Sequence, residues 1–227
     1  MSGVDRAWLY LGRQLRKPTG LFGSLVARTI GLLNKKSCCI AIEALNVSHK
    51  DTVLELGFGS GWAIGTLAKL TKEGRVFGID HSKVMYLQAS RRNRAAIGEG
   101  QVHLICGRLD ALPWQAGSID KGVAIHVAYF MNADEVREAR RVLRPGGTLA
   151  VLVTDGAAMK HWKFAHPTTH RQFGAGELSG LLLAGGFSRE EIAVRAVTLA
   201  PGVPGLLALA TKLRGASGIR VASEHGR

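Results

Sequence analysis

Val53-Leu54-Glu55-Leu56-Gly57-Phe58-Gly59-Ser60-Gly61 is the stretch that decides how the chain folds. An apolar run of strand length breaks into three glycines at alternate positions, and apolar residues at helical spacing follow from Trp62. Glycine lets the backbone turn sharply and approach a ligand with no Cβ in the way. The next strand-like run, Arg75-Val76-Phe77-Gly78-Ile79, ends in Asp80, 23 positions after Gly57. A carboxylate there is placed to take both hydroxyls of a ribose. Capping of the following helix is the competing reading for Asp80, with Ser82 a rival for that task. Together the turn and the acid predict a nucleotide-like ligand.

Outward from this stretch the pattern alternates. Strands are expected at 52–56, 75–80, 102–106, 119–125 and 147–154, and helices at 62–70, 82–97 and 134–142. Strands joined by helical crossovers require a parallel sheet with helices on both faces, so the fold class is α/β, doubly wound. A helix at 177–183 and two last strands, 192–199 and 206–213, complete the sheet. Pro145-Gly146-Gly147 reads as a helix stop that turns the chain into the fifth strand. Before the core, a helix is expected over 38–45, preceded by two basic amphipathic helices at 7–15 and 21–33. The chain thus divides into a basic N-terminal cap or lid, 1–36, a main domain, 37–213, and a polar tail, 214–227.

The 227 residues are 46% hydrophobic and 21% charged, enough for one domain with a full core. No apolar run reaches the roughly 18 residues needed to span a bilayer, and the N-terminus lacks a signal-peptide core, so a cytoplasmic protein is expected. Three cysteines, two of them adjacent, suggest neither a disulfide framework nor a metal site. The net charge is +13, and residues 1–36 hold seven Lys or Arg against one acid. That field favours anionic partners: an anionic metabolite, nucleic acid or a membrane surface. A solvated basic face explains it equally well.

The ordered set formed by Val53–Gly61, Gly78-Ile79-Asp80, Leu112-Pro113-Trp114, Ser118-Ile119-Asp120 and Arg141-Val142-Leu143-Arg144-Pro145-Gly146-Gly147-Thr148-Leu149 resembles the class I S-adenosylmethionine-dependent methyltransferases, of the small bacterial kind that acts on small molecules. The similarity covers roughly residues 45–155. It implies a Rossmann-like, seven-stranded sheet in the order 3-2-1-4-5-7-6 with the seventh strand antiparallel, and S-adenosyl-L-methionine as cofactor. It further implies that Glu55, Gly57, Phe58, Gly59 and Gly61 surround the methionine part, that Asp80 binds the ribose, and that His81, Met85, Arg108 and Leu109 border the adenine. Relatives often carry Asp or Ser where Arg108 stands, which leaves Asp110 or backbone to meet the adenine amino group. Glu55 itself argues for this cofactor over a dinucleotide, because a carboxylate repels a pyrophosphate and attracts an ammonium.

Candidates for the reaction itself follow from position. His126 ends the apolar strand at 119–125, and histidine is the side chain suited to act as a base near neutral pH. Base or acceptor-positioning group is its expected role, with Tyr129 beside it; Tyr129 and Phe130 could stack on an acceptor. The segment after strand five offers Trp162, His161 and His166 as acceptor contacts, with Asp155 and His170 nearby. The spacing of these histidines does not suit a metal. The expected function is methyl transfer to N, O or C of a small-molecule acceptor. The alternatives are a lipid or quinone-precursor methyltransferase docking on membranes through residues 6–36, and a non-catalytic cofactor- or nucleic-acid-binding module. An Asn/Asp-Pro-Pro-Tyr/Phe signature is absent after strand four, which makes nucleic-acid bases poor candidates.

Overall fold

The structure is a computed structural model and describes Trp8, Tyr10–Gly12 and residues 34–165 and 169–214. The two basic N-terminal helices, His166 and nearly all of the polar tail therefore lie outside the described residues, apart from that short stretch. The elements run α1 (Lys35–Leu45), β1 (Thr52–Leu56), α2 (Trp62–Leu70), β2 (Arg75–Asp80), α3 (Lys83–Arg92), α4 (Arg94–Gly98), β3 (Val102–Cys106) and β4 (Ile119–Ile125). After a 3-10 turn (Ala128–Phe130) come α5 (Ala133–Val142), β5 (Leu143–Thr154), α6 (Gly156–Met159), α7 (Ala175–Ala184), β6 (Ile192–Ala200) and β7 (Val203–Thr211).

The seven strands form one sheet in the order β3-β2-β1-β4-β5-β7-β6. β1 pairs in parallel with β2 and β4, and β7 runs antiparallel to both its neighbours. The expected doubly wound architecture is what the chain forms. Helices cover both faces, so β1 is buried on both sides and reads as a continuous apolar run interrupted by Glu55. One half of the core gathers Leu54, Leu56, Val136, Leu178 and Phe173; the other gathers Ile42, Leu45, Val53, Ile64 and Leu67 from α1, α2 and β1. The order in which strands are added to the sheet reverses between the parallel neighbours β1 and β4. Their carboxyl ends open the crevice in which such sheets bind ligands.

Several boundaries differ from expectation; the last strand, expected over 206–213, runs Val203–Thr211. The helix expected over 82–97 is two helices that meet at Asn93, whose backbone (φ −105°, ψ 21°) departs from helical values and whose Nδ2 donates to Gly61 O (3.0 Å) and Ala89 O (2.9 Å). The fifth strand begins at Leu143 rather than 147: Leu143 already pairs with Ile119, and the Gly146 N–H donates to Lys212 O. Pro145-Gly146-Gly147 thus bends an existing strand. The helix over 38–45 starts three residues earlier, at Lys35.

Candidate active site

The glycine turn follows directly from the pairing of β1. Gly57, Gly59 and Gly61 all have positive φ (+70°, +51° and +75°), where L side chains are strained. The Gly57 N–H donates to Ile79 O, and a Cβ on Gly57 would lie 2.6 Å from Val127 Cγ2, so this glycine lets β1's loop touch β4's. At Gly61 a Cβ would meet Ala89 Cβ at 2.6 Å. At Gly59 it would meet nothing within 4 Å and would project into open space.

The contrast between the last two glycines gives a test. Gly61→Ala combines a forbidden backbone angle with overpacking and is expected to cost about 2–4 kcal/mol of stability, read by urea denaturation. Gly59→Ala is expected to cost only about 1 kcal/mol, the backbone term alone, while filling the space beside Asp80 and abolishing ligand binding. Equal losses of stability in the two variants would contradict this geometry.

Asp80, 6% exposed at the end of β2, spans the turn. Its Oδ2 accepts from the Gly59 N–H (3.0 Å) and its Oδ1 from the Ser82 N–H (2.8 Å). Ser82, not Asp80, caps α3, accepting from the Met85 N–H (3.4 Å). Each Asp80 oxygen keeps a lone pair for a further donor. Burial raises the Asp80 pKa, and the two amides and His81 oppose the rise.

Glu55 is the most costly side chain of the site. It is 3% exposed in the middle of the core, and its Oε2 has no hydrogen-bond partner. Burial, and then the charge of Asp80, push its carboxyl well above the usual range, against a lowering contribution from the Ile64 backbone amide in the first turn of α2. Two buried acids beside an open glycine form a receptacle for positive charge.

Other expected cofactor neighbours fall differently. Phe58 turns its ring into the core, where a Cβ on Gly78 would meet Phe58 Cδ1 at 2.8 Å, so only its backbone belongs to the loop. Arg108 is committed to Asp110, its Nε donating to Oδ1 at 2.8 Å and its Nη2 to Oδ2. The pairing holds Asp110 below the usual carboxylate range. His81 stands half-exposed with Nδ1 3.8 Å from Asp80 Oδ1. Met85 and Leu109 are partly buried on opposite halves of the core.

At the end of β4, His126 has a left-handed backbone (φ +56°), uncommon for a non-glycine residue. Its ring is fixed at both nitrogens. Tyr129 Oη accepts from the Thr154 N–H (2.7 Å), which leaves its own proton for His126 Nδ1 (3.1 Å). Nε2 is hydrogen-bonded to Ser37 Oγ (3.0 Å), and the neutral ring that takes the Tyr129 proton on Nδ1 donates from Nε2 to that hydroxyl. Burial lowers the His126 pKa to about 4 and pushes Tyr129 up to about 12, so both are neutral at physiological pH. Ser37 had no signal in the sequence: it stands 89 positions from His126 and ahead of the apolar periodicity that marks α1.

The segment after β5 folds back over this edge. The Gly156 N–H donates to Phe173 O and the Arg171 N–H to Tyr129 O, which brings His170 against the rings of Phe130 (5.0 Å between centroids) and Tyr129 (5.9 Å). Trp162 stacks on Phe164 (5.4 Å), and His161 is exposed. His170, buried among the aromatics, is thus nearer to the candidate catalytic pair than the sequence suggested.

A glycine turn under a strand-end acid, at the switch point of a 3-2-1-4-5-7-6 sheet, is the arrangement of a class I methyltransferase. Residues 53–147 match the family model described as a methyltransferase domain. It is 28% identical over 146 residues to the uncharacterized methyltransferase YdaC of Bacillus subtilis, covering 63% of this chain and 76% of YdaC. It is 41% identical over 117 residues to an uncharacterized 37.1 kDa protein of transposon TN4556 from Streptomyces fradiae. That match covers 49% of this chain and only 32% of the Streptomyces protein. Among solved structures, a chain of the complex between the Haloferax volcanii Trm112 methyltransferase activator and a methyltransferase superposes with a TM-score of 0.72 at 19% identity, covering 84% of this chain and 94% of that one. Among the described residues no helix is long and apolar enough to cross a membrane.

Proposed function

We propose that the protein transfers the methyl group of S-adenosyl-L-methionine to N, O or C of a small-molecule acceptor. The observation that carries this reading is the orphaned, buried Glu55 Oε2 beside the open face of Gly59 and the half-used oxygens of Asp80. An ammonium satisfies Glu55, and the two hydroxyls of a ribose satisfy Asp80. The chemistry of these donors and acceptors fits the cofactor. The Gly57–Gly61 turn supplies close backbone approach, and His81, Met85 and Leu109 would border the base. Arg108 is tied up by Asp110, so backbone is the better candidate for the adenine amino group.

When bound, the cofactor supplies an activated methyl group, and the chain has mainly to hold an acceptor atom in line and away from water. We assign the acceptor to the edge formed by His126, Tyr129 and Phe130 beneath the 155–173 segment, where Trp162 and His161 would make further contacts. With both ring nitrogens engaged, His126 serves this reading as a positioning group, through which Tyr129 is also held, more readily than as a free base. Gly12 packs so closely on that segment that a Cβ there would lie 2.5 Å from Phe164 O, which supports the N-terminal residues as a cover on the acceptor side.

The direct test is calorimetry with S-adenosylmethionine, followed by a metabolite screen with labelled cofactor read by mass spectrometry. Saturable binding and labelled product are expected; no binding would end the proposal. His126→Asn keeps a residue tolerant of the left-handed backbone while breaking the ring's bridge. It is expected to lower turnover about tenfold or more, with cofactor affinity within about threefold of the original. Unchanged turnover would remove His126 from the acceptor edge.

A further inference from the structure

We infer that Ser37, on the first turn of α1, is a positioning residue for the transfer reaction, acting through His126 to hold the acceptor edge. This deepens the methyl-transfer reading and rests on it. The chain of hydrogen bonds is continuous: Thr154 N–H to Tyr129 Oη, then Tyr129 Oη with His126 Nδ1 and His126 Nε2 with Ser37 Oγ, at 2.7, 3.1 and 3.0 Å. It joins the end of β5, the 3-10 turn after β4 and the start of α1, three elements with no local connection to one another.

Each link constrains the next. Both partners of the ring select its tautomer: Tyr129 Oη, already an acceptor from Thr154, offers its proton to His126 Nδ1, and Ser37 Oγ offers the buried acceptor that an Nε2 hydrogen needs. Ser37 is 4% exposed, so no water replaces it without rearrangement. The ring in turn holds residue 126 in its left-handed conformation, directly before Val127, which touches the glycine turn at Gly57, and three residues before Tyr129, whose carbonyl receives the Arg171 N–H of the overlying segment. Without Ser37 the ring is free to rotate or change tautomer, and the strain at residue 126 is no longer opposed. The loop that separates the cofactor side from the acceptor side then loses its fixed shape.

The test uses the full chain with Ser37→Ala and Ser37→Thr. Ser37→Ala is expected to keep its circular dichroism and its affinity for S-adenosylmethionine within about threefold, while kcat falls about tenfold or more at saturating cofactor and acceptor. Ser37→Thr restores the hydroxyl and is expected to recover turnover to within about threefold. Independently of activity, nitrogen-15 NMR of the imidazoles is expected to show His126 as the Nε2–H tautomer in the original protein and in Ser37→Thr, and as a tautomer mixture in Ser37→Ala. Wild-type kcat in Ser37→Ala, or a His126 tautomer unaffected by the change, would overturn the proposal. Absence of any methyl transfer by the original chain would instead refute the enzymatic reading, and with it the assignment of Ser37 to that reaction, while the NMR signature would still report the chain.

Discussion

Glu55→Gln is expected to make the ligand-free protein more stable and its complex with S-adenosylmethionine weaker. The side chain is buried, has an unpartnered oxygen and lies within the field of Asp80, so ionising it in the absence of ligand is costly. A neutral isostere removes that cost, and a gain on the order of 2 kcal/mol in urea denaturation at neutral pH is expected. The pH dependence has a definite sign. A carboxyl whose folded pKa lies above its unfolded value binds more protons folded than unfolded, so its contribution to stability is present at low pH and is lost as pH rises through the folded pKa. Glu55 and Asp80 both act in this direction. His126, with a folded pKa of about 4, acts in the opposite one: its contribution is present above the unfolded value near 6.5 and is lost as pH falls toward 4. Glu55→Gln should therefore flatten the loss of stability between acid and neutral pH and leave the His126 contribution in place. Removing the partner of an ammonium is expected to weaken cofactor binding about 10- to 100-fold, by calorimetry. Unaltered affinity would mean that Glu55 does not face the methionine moiety.

Asp80→Ala is expected to damage both states. In the ligand-free protein it strands the Gly59 and Ser82 amides, whose acceptors are the two Asp80 oxygens, and each buried donor left unpaired costs about 1–3 kcal/mol. In the complex it also removes the acceptor for the ribose hydroxyls, with affinity expected to fall about 5- to 150-fold, equivalent to about 1–3 kcal/mol. The two acids therefore separate cleanly: loss of Glu55's charge trades binding for stability, whereas loss of Asp80 sacrifices both. A melting temperature and an affinity that remain unchanged in Asp80→Ala would refute the ribose assignment and the bridging role together.

Much of the site was legible because its parts are local. A positive-φ glycine turn, a strand-end acid and a serine cap each depend on a few neighbouring residues, and their order along the chain carried the resemblance to class I methyltransferases. The misplaced boundaries have tertiary causes. The two helices meet at Asn93, whose side chain is held by Gly61 O, and the fifth strand starts early because Leu143 finds Ile119. The resemblance implied Phe58 beside the ligand; its ring lies in the core, where Gly78 leaves room for it.

By itself, then, the sequence determined the alternation of strands and helices, the glycine turn and the acid that follows it, since hydrophobic period and turn chemistry are written within windows of a few residues. Only the tertiary structure decided that Glu55 Oε2 is stranded in the core, that Arg108 is spent on Asp110, and that Ser37 meets His126 across 89 positions. Such facts depend on which buried polar atoms find partners once the chain has closed on itself, and pairing between distant segments leaves no periodic trace in either of them.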